Sequence, residues 1–203
     1  MGKSEDNKLM KRNALLNAAY ELFTGKGVNK TSVSDIVERS GIAKGTFYLY
    51  FLDKYDLRNK LIAHKASELL LMAEEAMTQR EITDLEERIL FLAEYIVDYL
   101  AENKTLLGFL SKNLSWGIFK HNVIGKGEAE QKAEGDLYRF VTSIFEKSPR
   151  KYENPEMMLF MIIELVSSTI YSVILYQEPV DLPAFKPYLL RSIRQIIRDQ
   201  EIL

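Results

Sequence analysis

Three features of this 203-residue chain predict an all-α protein. Apolar residues recur at three- and four-residue steps almost throughout, the period of one face of a helix. The prolines, Pro149, Pro155, Pro179, Pro183 and Pro187, fall at or near breaks in that period. No segment alternates convincingly like a strand, and the sequence shows no internal repeat or low-complexity tract.

The elements follow in order. Leu15, Ala18, Ala19, Leu22 and Phe23 line one face of a first helix. Gly25 and Gly27 end it, because glycine accepts the left-handed conformation that a helix C-terminus needs. Thr31 or Ser32 caps a short second helix that turns Val33, Ile36 and Val37 inward. Gly41 breaks the chain again, and a third short helix runs from about Ala43 to Tyr50. Asp53 caps a long fourth helix reaching about Met77, with Asp56 three residues on as a variant capping box. Further helices are expected near 83–102, 104–119, 127–147, 154–177 and 187–201, and Pro187 leaves the start of the last one open.

Composition narrows the classes. An apolar share of 47% is enough to bury a sizeable core. With no cysteine, disulfides and thiolate metal sites are excluded, which fits a reducing cytoplasm. The start, MGKSEDNKLMKR, has no apolar stretch and is not expected to be a secretory signal. The net charge of −2 hides an asymmetry: residues 1–60 hold 11 Lys+Arg against 7 Asp+Glu, or +4, and residues 61–203 hold the remaining 16 against 22, or −6. A basic front on an acidic body suggests that only the front meets a polyanion. No glycine-rich phosphate loop, nucleophile elbow or metal-ligand spacing is present; Gly125-Lys126-Gly127 is too short for a phosphate loop, and His64 and His121 have no motif around them. No catalytic residue, metal or cofactor is expected, and no enzyme.

In the front sixty residues, a short helix, a tight turn at Gly41 and a second short helix have helix-turn-helix spacing. Phe47 and Phe51 stack on one strip of the third helix and can anchor it to a core. Lys44 and Tyr48 share a neighbouring strip, with Gly45 and Leu49 beyond them. A helix of this size fits the DNA major groove, and glycine permits close approach.

The stretch from Arg12 to Leu57 resembles the N-terminal domain of the tetracycline-repressor (TetR) family. The matching residues are Ala18-Ala19 with Leu22-Phe23, Gly27, Thr31-Ser32-Val33 with Asp35-Ile36, Gly41 through Tyr48, Tyr50-Phe51, Lys54 and Leu57. One unbroken register is far more specific than a generic helix-turn-helix, although it covers only about a quarter of the chain. Leu49 occupies a slot often filled by an aromatic or polar residue, so its role stays open, and Tyr55 replaces a common acidic residue. The resemblance implies a three-helix DNA-binding domain over 1–55, joined to a larger helical-bundle domain over 56–203 for regulation and dimerisation. It implies that Thr31 and Ser32 contact a phosphate, that Lys44, Gly45 and Thr46 face base edges, that Tyr48 donates to a phosphate, and that Lys54 grips the DNA backbone. Tyr50 reads as partly buried rather than bound to DNA.

The resemblance further implies a cytoplasmic repressor that binds a near-palindromic double-stranded operator as a homodimer, pairing through the helices near 154–177 and 187–201, and leaves it on binding a small apolar or amphipathic effector. A DNA-binding adaptor acting through a protein partner is the alternative. Residues 157–176 are apolar on nearly every face and must be buried. A membrane span is disfavoured, since Glu164 well inside that run costs about 2.5–3.5 kcal/mol on insertion scales. Leu189, Leu190, Ile193, Ile196 and Ile197 form the inner stripe of the last helix, and Arg191, Arg194 and Arg198 read as a solvated face. An effector pocket is sketched from Tyr95 and Tyr99, from Phe109, Asn113, Trp116 and Phe119, and from a strip of Met157, Met161, Glu164, Ser168 and Tyr171; plain core packing is the competing reading of each. Glu164 needs a partner, whether a cationic effector, an arginine within the fold, or solvent at the dimer seam.

Overall fold

The structure, a computed structural model, describes residues 3–80, 82–110, 145 and 148–202. Among them lie eight helices and two very short strands. The chain divides into two compact units, Met1–Ile62 and Ala63–Leu203. The division falls inside a helix, beyond the 55/56 boundary expected from sequence.

The first unit contains α1 (Lys3–Lys26), α2 (Val33–Ser40), α3 (Lys44–Tyr50) and the start of α4 (Lys54–Thr78). Leu15, Leu16, Ala18, Ala19 and Phe23 of α1 meet Ile36, Phe47, Phe51, Leu57 and Leu61 in one core. Each junction has a local cause. Gly27, at φ 86°, takes the left-handed conformation just past α1, whereas Gly25 stays helical. Ser32, rather than Thr31, caps α2: its hydroxyl accepts from Asp35 N at 3.1 Å, and its own N–H donates to the Asp35 carboxylate at 2.8 Å. Gly41, at φ 68°, closes α2 by donating its N–H to the Glu38 carbonyl. Asp53 caps α4 by accepting from the backbone N–H groups of Tyr55 and Asp56, and Asp56 reaches back to Leu52 N at 2.9 Å. The variant box therefore closes one residue upstream of its cap.

The second unit holds the rest of α4, then α5 (Leu85–Glu102), α6 (Lys104–Leu110), β1 (Lys151–Tyr152), α7 (Pro155–Tyr176), α8 (Leu182–Asp199) and β2 (Glu201–Ile202). α8 packs on both α5 and α7. Ile89, Val97 and Leu100 of α5, Ile162, Val166, Ile170 and Val173 of α7, and Leu189, Ile193 and Ile197 of α8 are buried. α7 is long and apolar enough to cross a membrane by composition, with a mean hydropathy of 2.0, but 44% of that window is buried within the protein. Its hydroxyls turn to the helix backbone: Thr169 Oγ1 donates to the Leu165 carbonyl at 2.6 Å.

Three sequence expectations need correction here. First, a pair of strands exists: β1 and β2 pair antiparallel, Lys151 opposite Ile202. Two residues per strand are too few to show alternation. Second, the last helix begins at Leu182 and keeps Pro187 inside it. Asp181 caps it, accepting from Ala184 N at 3.0 Å, and the helix runs on through Pro187 without the one backbone bond that residue cannot make. Third, Arg194 and Arg198 are not simply solvated. Arg194 Nε and Arg198 Nε donate to the two oxygens of Glu86 at 2.8 and 2.9 Å, and Glu86 is only 5% exposed. The Arg198 hydrogen bond holds the Glu86 carboxyl below its ordinary value. Beside them Arg150 pairs with Asp84 and Glu201, tying β1 to β2 and to the cap of α5.

Candidate nucleic-acid interface

α3 is fastened from beneath by Phe47 and Phe51, 0% and 2% exposed, with ring centroids 5.5 Å apart. Ala43 starts the helix by accepting from Thr46 N at 2.9 Å and Phe47 N at 3.2 Å. With the anchors fixed, the helical period turns Lys44, Gly45, Tyr48 and Leu49 outward, and all four are exposed. Thr46 is half-buried at the edge of this face, and Tyr50 is half-buried beside Phe51. Lys44 Nζ lies 3.5 Å from the Ser34 hydroxyl, a contact too long to hold it. A Cβ on Gly45 would meet nothing within 4 Å, so the fold itself does not demand glycine there. Glycine instead leaves room above the helix for another body.

The second part of the surface is the loop before α2. Ser32 is exposed, and while its oxygen accepts from Asp35 its O–H remains a donor at the helix N-terminus. Asp35 is held down at about 2, chiefly by the Lys26 ammonium 2.8 Å away. Asp35 therefore stays ionised well into acid and pairs with Lys26. Arg39 is likewise paired with Glu21. An open hollow of about 440 Å³ lies at this loop, lined among others by Lys30, Ser32, Asp53 and Tyr55. Lys30, exposed at its rim, is a cation that sequence reasoning passed over; a single lysine outside any motif gives no signal.

Two of the residues expected to contact DNA are engaged within the chain in this structure. Thr31 is 1% exposed, and its hydroxyl donates to the Gly27 carbonyl at 2.8 Å, so it faces the interior and staples the loop. Lys54 donates to the carbonyls of Thr31, Val28 and Asn29 at 2.9, 3.0 and 3.3 Å. An ammonium has three protons, and all three are engaged inside the chain. Of the seven expected interface residues, the outward surface thus gathers Ser32, Lys44, Gly45, Thr46 and Tyr48.

The sketched effector pocket is only partly in view. Tyr95 and Tyr99 stack on α5 with centroids 6.5 Å apart. Phe109 on α6 and Met161, Glu164 and Tyr171 on α7 are half-buried, while Ser168 is exposed. Asn113, Trp116, Phe119 and His121 lie outside the described residues, as does most of the span expected as helices over 104–119 and 127–147. Elsewhere on the same unit Met157, Phe160, Tyr176 and Tyr188 are 40–63% exposed.

Residues 15–61 match the family model described as bacterial regulatory proteins, tetR family. An uncharacterised helix-turn-helix regulator of Bacillus subtilis, YvdT, is 50% identical over 56 residues, 28% of this chain and 27% of its own. A second from the same organism, YdgC, is 30% identical over 133 residues, 60% of this chain and 66% of its own. The fatty acid metabolism regulator of that organism is 32% identical over 66 residues, 32% of this chain and 34% of its own. The chain therefore spans from about a quarter to just under two thirds of these relatives' lengths. Among solved structures, a tetR-type regulator from Shewanella matches 95% of this chain and 99% of its own with a TM-score of 0.59 at 16% identity. The regulator FadR from Bacillus subtilis, in complex with stearoyl-CoA, matches 91% of this chain and 98% of its own with a TM-score of 0.56 at 18% identity. At these identities the likeness is one of fold.

Proposed function

Since this chain belongs to the TetR family of transcriptional regulators, we propose that it is a cytoplasmic repressor that a small apolar or amphipathic effector releases from a near-palindromic operator. The observation that carries the DNA-binding part is the open face of α3, held outward by the buried Phe47 and Phe51. In this reading residues 1–55 form the reader and 56–203 the regulatory and dimerising body. Ser32 and Tyr48 contact phosphates and set the register, and Lys44, Gly45 and Thr46 meet base edges. Lys44 is suited to the paired acceptors of a guanine.

A homodimer joined through α7 and α8 sets two α3 helices about 34–36 Å apart, one turn of duplex. Support for that seam is the exposed apolar surface of Met157 on α7 and Tyr188 on α8. Support for an acyl-type effector is the stearoyl-CoA complex of the FadR relative, together with the apolar character of α7. Such an effector acts only through its greater affinity for the conformer with misplaced readers. The test begins with duplexes selected from a random pool by the purified protein. Lys44→Ala is expected to relax preference at particular base pairs; equal loss on every sequence would remove Lys44 from base reading.

A further inference from the structure

Tyr48, Leu49, Leu52 and Tyr55 are 53, 80, 82 and 46% exposed within one short stretch. A lone surface leucine needs no explanation, but an apolar cluster on a reading helix does. Leu49 is the informative member. It stands two residues from each buried anchor, Phe47 and Phe51, and two steps of about 100° carry it to the opposite side of α3. Gly45, one turn earlier on the same strip, leaves open space beside it. The outermost line of the helix is thus a fully apolar side chain next to a gap, with Lys44 on its flank. Leu52 lies beyond the end of α3 and off this line.

We propose that Leu49 reads the 5-methyl group of a thymine in the major groove. This rests on the DNA-binding reading above and adds a chemical class of contact to it. Of the groups that project into that groove, the thymine methyl is the one apolar substituent; the rest are hydrogen-bond donors and acceptors beside the flat C–H edges of cytosine and the purines. A leucine over any other edge would desolvate a polar group without compensating it. A leucine over the methyl buries two apolar surfaces, and the missing side chain at Gly45 lets the helix sit deep enough for contact. The half-site therefore holds a thymine close to the guanine that Lys44 faces.

The test uses the full chain and the duplex it selects from a random pool. Each thymine of the half-site is replaced in turn by deoxyuridine, which removes only the methyl. At one position uracil is expected to weaken wild-type binding about fourfold, the factor for one buried methyl. Leu49→Ala should lose a similar factor on the thymine duplex and cease to distinguish thymine from uracil there. Its dependence on salt should match the wild type, since no phosphate contact is removed. The side chain is exposed and alanine favours helix, so the fold stays intact. Unchanged thymine preference in Leu49→Ala, or wild-type indifference to every uracil, overturns the proposal. Failure to retard any duplex at low ionic strength has a different signature, and overturns the DNA-binding reading together with this one.

Discussion

The two units are held together in different ways. Around α2 and α3 the caps and anchors join neighbours in sequence: Ser32 with Asp35, Gly41 with Glu38, and Phe47 with Phe51. In Ala63–Leu203 an ion-pair tie joins distant residues: Glu86 meets Arg194 and Arg198 across separations of 108 and 112 positions. The front buries Phe47 and Phe51 under one short helix and leaves Lys44, Gly45, Tyr48 and Leu49 outside. The body leaves apolar side chains of α7 and α8 outside as well. The turn and caps around α3 are thus specified within a few residues, whereas the tie on α5 and α8 draws on residues more than a hundred positions apart.

The contrast can be broken most forcefully at Phe47. Phe47→Ala removes one of the two buried anchors beneath α3 and should cost the first unit about 3–5 kcal/mol, read by denaturant unfolding. A loss well under that would mean that α3 is not fastened from below. Glu86→Gln probes the body's long-range tie and should cost about 1–2 kcal/mol at neutral pH, because both arginines are partly exposed. The folded carboxyl sits below its ordinary value of 4.5. Its contribution is therefore complete above about pH 4.5 and disappears as the pH falls through the depressed value. The stability gap between wild type and Glu86→Gln should close on acidification; a constant gap down to pH 3 would deny the ion pair its role.

The smallest signal is the most discriminating. Lys54→Ala should weaken binding to all duplexes by loosening the loop before α2, yet leave the salt slope unchanged. A slope lower by about one would return Lys54 to the phosphate backbone.

How much was legible in the sequence follows the same division. The caps at Ser32 and Asp53, the turn at Gly41 and the inward pair Phe47 and Phe51 are written within four residues of the features they determine, so spacing revealed them. The intrachain partners of Thr31 and Lys54 were not legible, because a family motif records that a residue recurs but not which way it points; they are the carbonyls of Gly27, Val28 and Asn29. Arg194 and Arg198 looked solvated because their partner lies on another helix, and periodicity carries nothing about a neighbour of that kind. β1 and β2 were too short to leave a pattern. On α5, Tyr95 and Tyr99 are four residues apart, and that spacing brings their rings into a stack.

The three carbonyls around the Lys54 ammonium have a mechanical consequence. They bolt the opening residue of α4 to the strand of chain that delivers α2, so the joint has no slack. If the start of α4 swivels, the loop, α2 and the helix after it must travel as one piece.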